Sequence, residues 1–261
     1  METAVGKSII GQIAFGRLRY FYRPIQEITE FSRLMWEEEQ TRFQVAQKRA
    51  VEQLMRLYER ATRHVGEGIA SVFAVHAMLL EDEELVQAIL WLLREKGVTA
   101  EYAVQTVAGR FGDTFTSMES TYMQARVRDI RDISYRMLKL LQGKAVQNPL
   151  REGPAILIAD EFFPSEVVDL DHSRLLGLIA RKGSVDSHTS LLLQAYGIPA
   201  MAQVDLSEEW DGHPALLDGY DHRLYLDPDR ELLEQLRLRY QAGGMPRIIN
   251  HPERKKELQT V

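Results

Sequence analysis

Between Phe43 and Ala61 the apolar residues Phe43, Ala46, Ala50, Leu54, Leu57 and Ala61 recur at steps of three or four, the period of one face of an α-helix. Ile130, Ile133, Met137 and Leu140 keep the same step. Proline cannot occupy a helix interior without losing a hydrogen bond and clashing with the preceding turn, and none occurs between Pro24 and Pro149. The pattern predicts an all-helical domain over residues 23–145, folded as antiparallel hairpins. Its breaks are expected at glycines: Gly66 and Gly68 after the first long helix, Gly97 after a leucine-rich segment, and Gly109 with Gly112.

Past Gln142 and Gly143 the period changes. Short apolar runs, "AILIA" (155–159), "LLGLIA" (175–180), "PALLD" (214–218) and "RLYLD" (223–227), are separated by turn residues and predict strands. Between the second and third lies "TSLLLQAYG", a short helix ending at Gly197. The N-terminal "SIIGQIAFGRLRYF" is strand-like and able to pair with the second half, which leaves the helical part as an insertion. The predicted fold class is therefore α/β plus all-α: an α/β domain from residues 1–22 and 146–230 with an inserted antiparallel helical-hairpin domain. Residues 231–261 are expected as a linker helix that ends in the polar, basic "HPERKKELQTV".

Composition narrows the functions. A chain of 261 residues, 45% hydrophobic and 27% charged, is long enough for two domains and apolar enough for a core. Its net charge of -6, from 32 basic and 38 acidic residues, gives no general attraction to nucleic acid or an anionic membrane. The absence of cysteine removes disulfides, thiol catalysis and cysteine metal sites, and fits a reducing compartment. Met1 to Phe21 has no uninterrupted apolar stretch, and "SVFAVHAMLL" contains a histidine and is too short to span a bilayer. A cytoplasmic protein without membrane insertion is expected.

One histidine stands in a distinctive setting. In "GSVDSHTSLLLQAYGIPAM", His188 lies between a glycine-led polar loop and an apolar helical run. A helix N-terminus offers backbone donors and a dipole suited to an anionic group such as phosphate. An imidazole with an unperturbed pKa of about 6.5 is largely neutral and nucleophilic near pH 7. Ser187, Thr189 and Ser190 add hydroxyls, and Gly183 permits close backbone approach. On spacing alone, a capped helix with an incidental histidine is the commoner explanation of such a cluster.

The remaining histidines lack metal-ligand spacing: His64 and His76 lie in the helical half, and His172, His213, His222 and His251 in turn-like or terminal settings. No P-loop, Rossmann fingerprint or His-Glu-x-x-His motif occurs. In "HAMLLEDEEL" an apolar helical segment runs into four acidic residues, which reads either as a solvated helix end or as a docking face for a basic partner. In "QARVRDIRDI" arginines and aspartates at three- and four-residue spacing pair along a helix, with Arg126 the candidate to point outward.

Taken together, "KGSVDSHTSLLLQAYGIPAM" resembles the phosphohistidine loop of phosphoenolpyruvate-utilising enzymes, and "HAMLLEDEEL" with "RVRDIRDISYRMLKLL" resembles the helical insertion of one branch. That branch is enzyme I of the bacterial sugar phosphotransferase system, the phosphoenolpyruvate-protein phosphotransferases. The resemblance runs from "GQIAFGRL" to "LYLDPDRELLEQL" and is that of the N-terminal half. It implies that Nε2 of His188 takes a phosphoryl group from phosphoenolpyruvate and passes it to HPr, the histidine phosphocarrier protein. It implies an HPr-docking surface of Glu67, Val72, His76, Leu79, Glu83, Glu84 and Arg126, with Leu79 as apolar anchor. Phosphoenolpyruvate binding, Mg2+ and the homodimer contacts of the whole enzyme belong to a C-terminal barrel, so no cofactor is expected here and exchange is expected with HPr only.

Two departures stand out. Where the common family loop reads Gly-Gly-Arg-Thr-Ser-His, this chain has Val185 and Asp186 before Ser187 and His188. Where many members carry a threonine that hydrogen-bonds the histidine, Val167 stands. The alternatives are the swivelling domain of a pyruvate phosphate dikinase-like enzyme, which is not expected to carry the helical insertion, and a docking module that has lost its chemistry.

Overall fold

The N-terminal strands pair with the second half of the chain. In the computed structural model, which describes residues 2–24, 27–143 and 148–242, Glu2–Val5 (β1), Lys7–Ser8 (β2) and Ile13–Tyr20 (β3) precede the helices. Ala155–Ala159 (β4), Leu175–Ala180 (β5), Ala200–Ala202 (β6), Pro214–Asp218 (β7) and Arg223–Leu226 (β8) follow them. All eight form one sheet in the order β1-β8-β7-β3-β4-β5-β6-β2. β3 pairs parallel with β4, Leu18 opposite Ile156, and antiparallel with β7, Ala14 opposite Leu217. It thus divides a parallel half, β4 to β6, from an antiparallel half.

β1 and β2 lie at opposite edges of this order although only Gly6 separates them, so the N-terminal strand links the two edges. A Cβ at Gly6 would lie 2.5 Å from Val204 Cγ2 and 2.8 Å from the Ala202 carbonyl oxygen. Close backbone approach is what requires glycine there.

Side chains of β3 alternate as a strand demands. Ala14 and Leu18 join Ile156, Ile158, Ile179, Met201 and Leu217 in one core cluster, while Ile13 joins Leu216, Tyr225 and Leu236 in another. Leu236 belongs to Arg230–Ala242, here α8 once the preceding helices are counted. The stretch expected as linker helix therefore packs on the sheet as far as it is described; the rest of 231–261, with His251, lies outside the described residues. β4 and β5 are buried at every position, which is why their sequences are unbroken apolar runs rather than alternating ones.

The helices are Trp36–Val65 (α1), Glu67–Leu80 (α2), Glu83–Lys96 (α3), Ala100–Ser117 (α4) and Thr121–Gln142 (α5), then Pro164–Asp169 (α6) and His188–Tyr196 (α7). α1 buries the predicted stripe from Phe43 to Ala61. Gly66 separates α1 from α2, while Gly97 and Gly143 cap α3 and α5 in left-handed backbone. Gly68, Gly109 and Gly112 break nothing: Gly68 lies in the first turn of α2 and the other two inside α4. A helix-interior glycine costs only about 0.5–1 kcal/mol relative to alanine, and α4 buries Ala100, Ala103, Val104 and Val107 along one stripe. No helix among the described residues is long and apolar enough to cross a membrane.

The chain divides into two compact units. The described parts of Met1–Tyr22, Gln147–Phe162 and Asp169–Val261 form one, and those of Arg23–Val146 with Phe163–Val168 the other. A short segment from the second half thus belongs with the helices. Asp132 of α5 holds it, accepting from Ser165 N–H at 3.1 Å and from Ser165 Oγ at 2.5 Å. Arg23 grips Glu166 with two 2.7 Å hydrogen bonds, and Arg60 donates to the Val168 carbonyl at 2.6 Å. Burial pushes the Glu166 carboxyl upward and Arg23 opposes that shift. Burial, then the charge of Glu166, pushes the Tyr135 phenol up to about 12.

Candidate functional site

In the α/β unit, Ser187 is the N-cap of α7 and His188 its first residue, exposed to solvent. The preceding loop leaves the end of β5, where Lys182 N–H donates to the Asp160 carbonyl at 2.7 Å. Arg181 is committed at the same edge: its guanidinium stands 3.1 Å from the Asp160 carboxylate and also donates to the Leu206 carbonyl. Gly183 follows with φ 134°, a conformation that favours glycine, and a Cβ there would meet Ala202 Cβ at 3.4 Å.

From Gly183 onward the loop is pinned by polar contacts. Gln203 Nε2 donates to the Gly183 carbonyl at 3.0 Å. Ser190 Oγ donates to the Ser184 carbonyl at 2.6 Å, and Ser187 Oγ accepts from Ser190 N–H at 3.2 Å. Thr189 Oγ1 donates to the Phe162 carbonyl at 3.1 Å, which fixes the first turn of α7. Ser190 is buried, so its hydroxyl is a structural anchor rather than a group at the surface. Asp186 is exposed, and Leu191, one turn past His188, is an exposed apolar neighbour that sequence reasoning passed over.

The structure brings Gly183, Ser187, His188, Thr189 and Ser190 into one loop-to-helix junction. Its chemistry is that of an accessible imidazole at the positive end of a helix, with the backbone around it tied by hydrogen bonds. The other described histidines stand elsewhere in the fold. His213 Nδ1 lies 2.9 Å from Asp227, His222 Nδ1 accepts from Ser8 N–H at 3.3 Å, and His172 packs edge-on against Tyr196. His64 lies in the last turn of α1.

In the helical unit the candidate docking residues separate. Glu67 begins α2 and accepts from the Tyr58 hydroxyl at 3.3 Å; Glu83 begins α3, and Glu84 follows it. Both Glu83 and Glu84 are exposed, and Leu79 is half-buried. Val72 and His76, expected on the docking surface, are 2% and 0% exposed, on the face of α2 that also buries Ala70, Phe73, Ala77 and Leu80, so they line the core of the helical unit rather than its surface. His76 sits instead between two carboxylates of α5, with Nε2 3.1 Å from Asp129 and Nδ1 3.7 Å from Asp132. Arg126, the arginine expected to point outward, is instead turned to the same cluster, 3.2 Å from Asp129 as an i,i+3 pair.

The acidic run is a helix junction. Asp82 caps α3, its Oδ1 accepting from Glu84 N–H at 3.0 Å and Leu85 N–H at 3.1 Å, and Glu83 and Glu84 occupy the first turn, where negative charge suits the dipole. It is still solvent-exposed, and beside it stands Met78, 71% exposed on α2. Met78 was legible as the position opposite the buried stripe.

Two family models match the chain: "PEP-utilising enzyme, N-terminal" over residues 5–126 and "PEP-utilising enzyme, mobile domain" over residues 151–222. The chain is similar to the phosphoenolpyruvate-protein phosphotransferase of Bacillus sp. (strain S), 32% identical over 212 residues, 79% of this chain and 37% of that protein. It is also similar to the PEP-dependent dihydroxyacetone kinase, phosphoryl donor subunit DhaM, of Pantoea ananatis (strain LMG 20103), 34% identical over 166 residues, 64% of this chain and 35% of that protein. Among solved structures it shares its fold with an Enzyme I protein described by NMR, TM-score 0.71 at 24% identity, covering 93% of this chain and 100% of that one. The chain spans little more than a third of the length of these curated relatives.

Proposed function

Because the chain belongs to the PEP-utilising enzyme family, matched by both its N-terminal and its mobile-domain models, we propose that it is the phosphohistidine and carrier-binding part of a phosphoenolpyruvate-protein phosphotransferase. The observation that carries the reading is His188: an exposed imidazole on the first turn of α7, behind a loop tied down at Gly183 and Ser184.

The step is an in-line phosphoryl transfer. Nε2 of neutral His188 supplies its lone pair to phosphorus, the N–P bond forms as the bond from phosphorus to the donor's oxygen or nitrogen breaks, and the donor keeps that electron pair. Such transfers depend on positioning and charge stabilisation more than on covalent help, so a rigid loop has direct kinetic value. The N-terminal end of α7 offsets part of the phosphoryl charge. Val185 and Asp186 supply no cation, so in this chain the helix end and backbone carry a larger share of that stabilisation.

The acceptor is a small basic-faced phosphocarrier of the HPr type, docked on α2 and α3 of the helical unit. Met78 and Leu79 provide its apolar contact, and Glu67, Glu83 and Glu84 the acidic rim that steers association. Use of phosphoenolpyruvate, with Mg2+, and homodimerisation are assigned to a further barrel domain of the whole enzyme. Among the described residues no group of three or more histidine, cysteine, aspartate or glutamate side chains is placed to hold a metal ion. The Pantoea relative, named as a phosphoryl donor subunit, supports a phosphoryl-passing role.

Incubation with HPr carrying a radiolabelled phosphohistidine tests the reading. The chain is expected to take up label that is lost in acid and kept in base. A folded chain that remains unlabelled would reduce it to a docking module.

A further inference from the structure

Gln203 carries φ 59°, in the left-handed region that residues with a β-carbon enter at a cost glycine avoids. Its side chain is exposed, so core packing does not impose that conformation. What the conformation achieves is a hydrogen bond: from the end of β6 the Gln203 amide donates to the carbonyl of Gly183, at 3.0 Å. That carbonyl opens the His188 loop, and the end of β6 approaches Gly183 a second time through Ala202 Cβ, 3.4 Å from where a Gly183 Cβ would stand. A turn needing only left-handed backbone is served by glycine or asparagine at less strain; reaching Gly183 needs a longer amide.

We propose that Gln203 is a positioning residue for His188, a tether that holds the first peptide of the loop to the sheet so that the imidazole meets phosphorus in line. Ser190 holds the next carbonyl, that of Ser184, from the helix side. Between them the loop is fixed from both flanks, with only Val185 and Asp186 spanning the gap to the N-cap. The proposal rests on the phosphohistidine reading above.

A positioning tether and a structural residue respond oppositely to Gln203→Gly. Glycine removes the backbone strain, so the melting temperature should hold or rise, while loss of the tether should lower kcat for exchange with phospho-HPr by roughly five- to tenfold with KM unchanged, since small misplacements of a reacting group are costly. Gln203→Asn, which keeps the backbone preference but shortens the amide, should behave like Gln203→Gly. Gln203→Lys, a donor of comparable reach, should return kcat to within about twofold of the parent. Hydrogen exchange at residues 184–187 should quicken in Gln203→Gly and not in Gln203→Lys, a readout independent of phosphate. Unchanged kcat and unchanged loop protection in Gln203→Gly would overturn the tether while leaving the phosphohistidine reading intact. A falling melting temperature with KM and kcat both altered would make Gln203 merely structural. A parent chain that takes no label, with loop exchange unaffected by any variant, would remove both.

Discussion

The hydroxyl of Ser190 donates to the carbonyl of Ser184 at 2.6 Å and stands 3.0 Å from the Ser187 hydroxyl, so a buried side chain two residues past His188 holds the loop in front of it. Ser190→Ala leaves a partly buried carbonyl without this donor, which typically costs about 1–3 kcal/mol. Denaturant unfolding should show a loss in that range, accompanied by faster hydrogen exchange across residues 184–188. A variant as stable and as protected as the parent would mean that the loop is held by other contacts.

Arg23 and Glu166 make a second, sharper case because pH enters. Burial raises the Glu166 carboxyl, and Arg23 draws it back. In Arg23→Met that opposition is gone, and the folded carboxyl lies further above its unfolded value. A raised carboxyl stabilises the fold below the unfolded pKa, and that stability is lost as pH rises through the folded pKa. The variant should therefore lose about 3 kcal/mol at neutral pH, as for a half-removed buried ion pair, and distinctly less near pH 5. Adding Glu166→Gln should recover much of the neutral-pH loss. Equal losses at both pH values would show that Glu166 is not the group responsible.

Docking on α2 predicts a split between neighbouring positions. Met78→Asp, at an exposed site, should leave the circular dichroism of the helical unit unchanged and weaken HPr binding by at least about tenfold, the scale of a central apolar contact. Leu79→Asp should do the same with some loss of stability, because Leu79 is half-buried. Val72→Asp, inside the core, should unfold the unit instead. Titration of labelled HPr against the folded variants decides it; unchanged affinity of Met78→Asp places the carrier on another face.

Much of this architecture is written locally. "AILIA", "LLGLIA" and "PALLD" coincide with β4, β5 and β7 because strands buried on both faces need continuous apolar runs, and Gly197 ends α7 because a left-handed cap favours glycine. What was not legible depends on distant partners. The carboxylates facing His76 come from α5, and the segment Phe163–Val168 is drawn to the helices by Asp132, Arg60 and Arg23, none of them near it in sequence. A resemblance names positions but not faces, which is how Val72 and His76 entered the expected docking surface although the buried stripe of α2 contains both. Gln203 gave no signal, since its left-handed backbone is occupied by a residue that does not advertise it.

His188 is where the account stands or falls. His188→Ala removes a solvent-exposed nucleophile and no core volume, so the variant should melt with the parent and still bind HPr. The direct measurement is transfer of radiolabelled phosphate from phospho-HPr to parent and variant in parallel, with the labelled peptide located by mass spectrometry. An acid-labile, base-stable phosphate is expected on His188 in the parent and none in the variant. Label taken up by His188→Ala at the parental rate would contradict it and move the chemistry to another histidine.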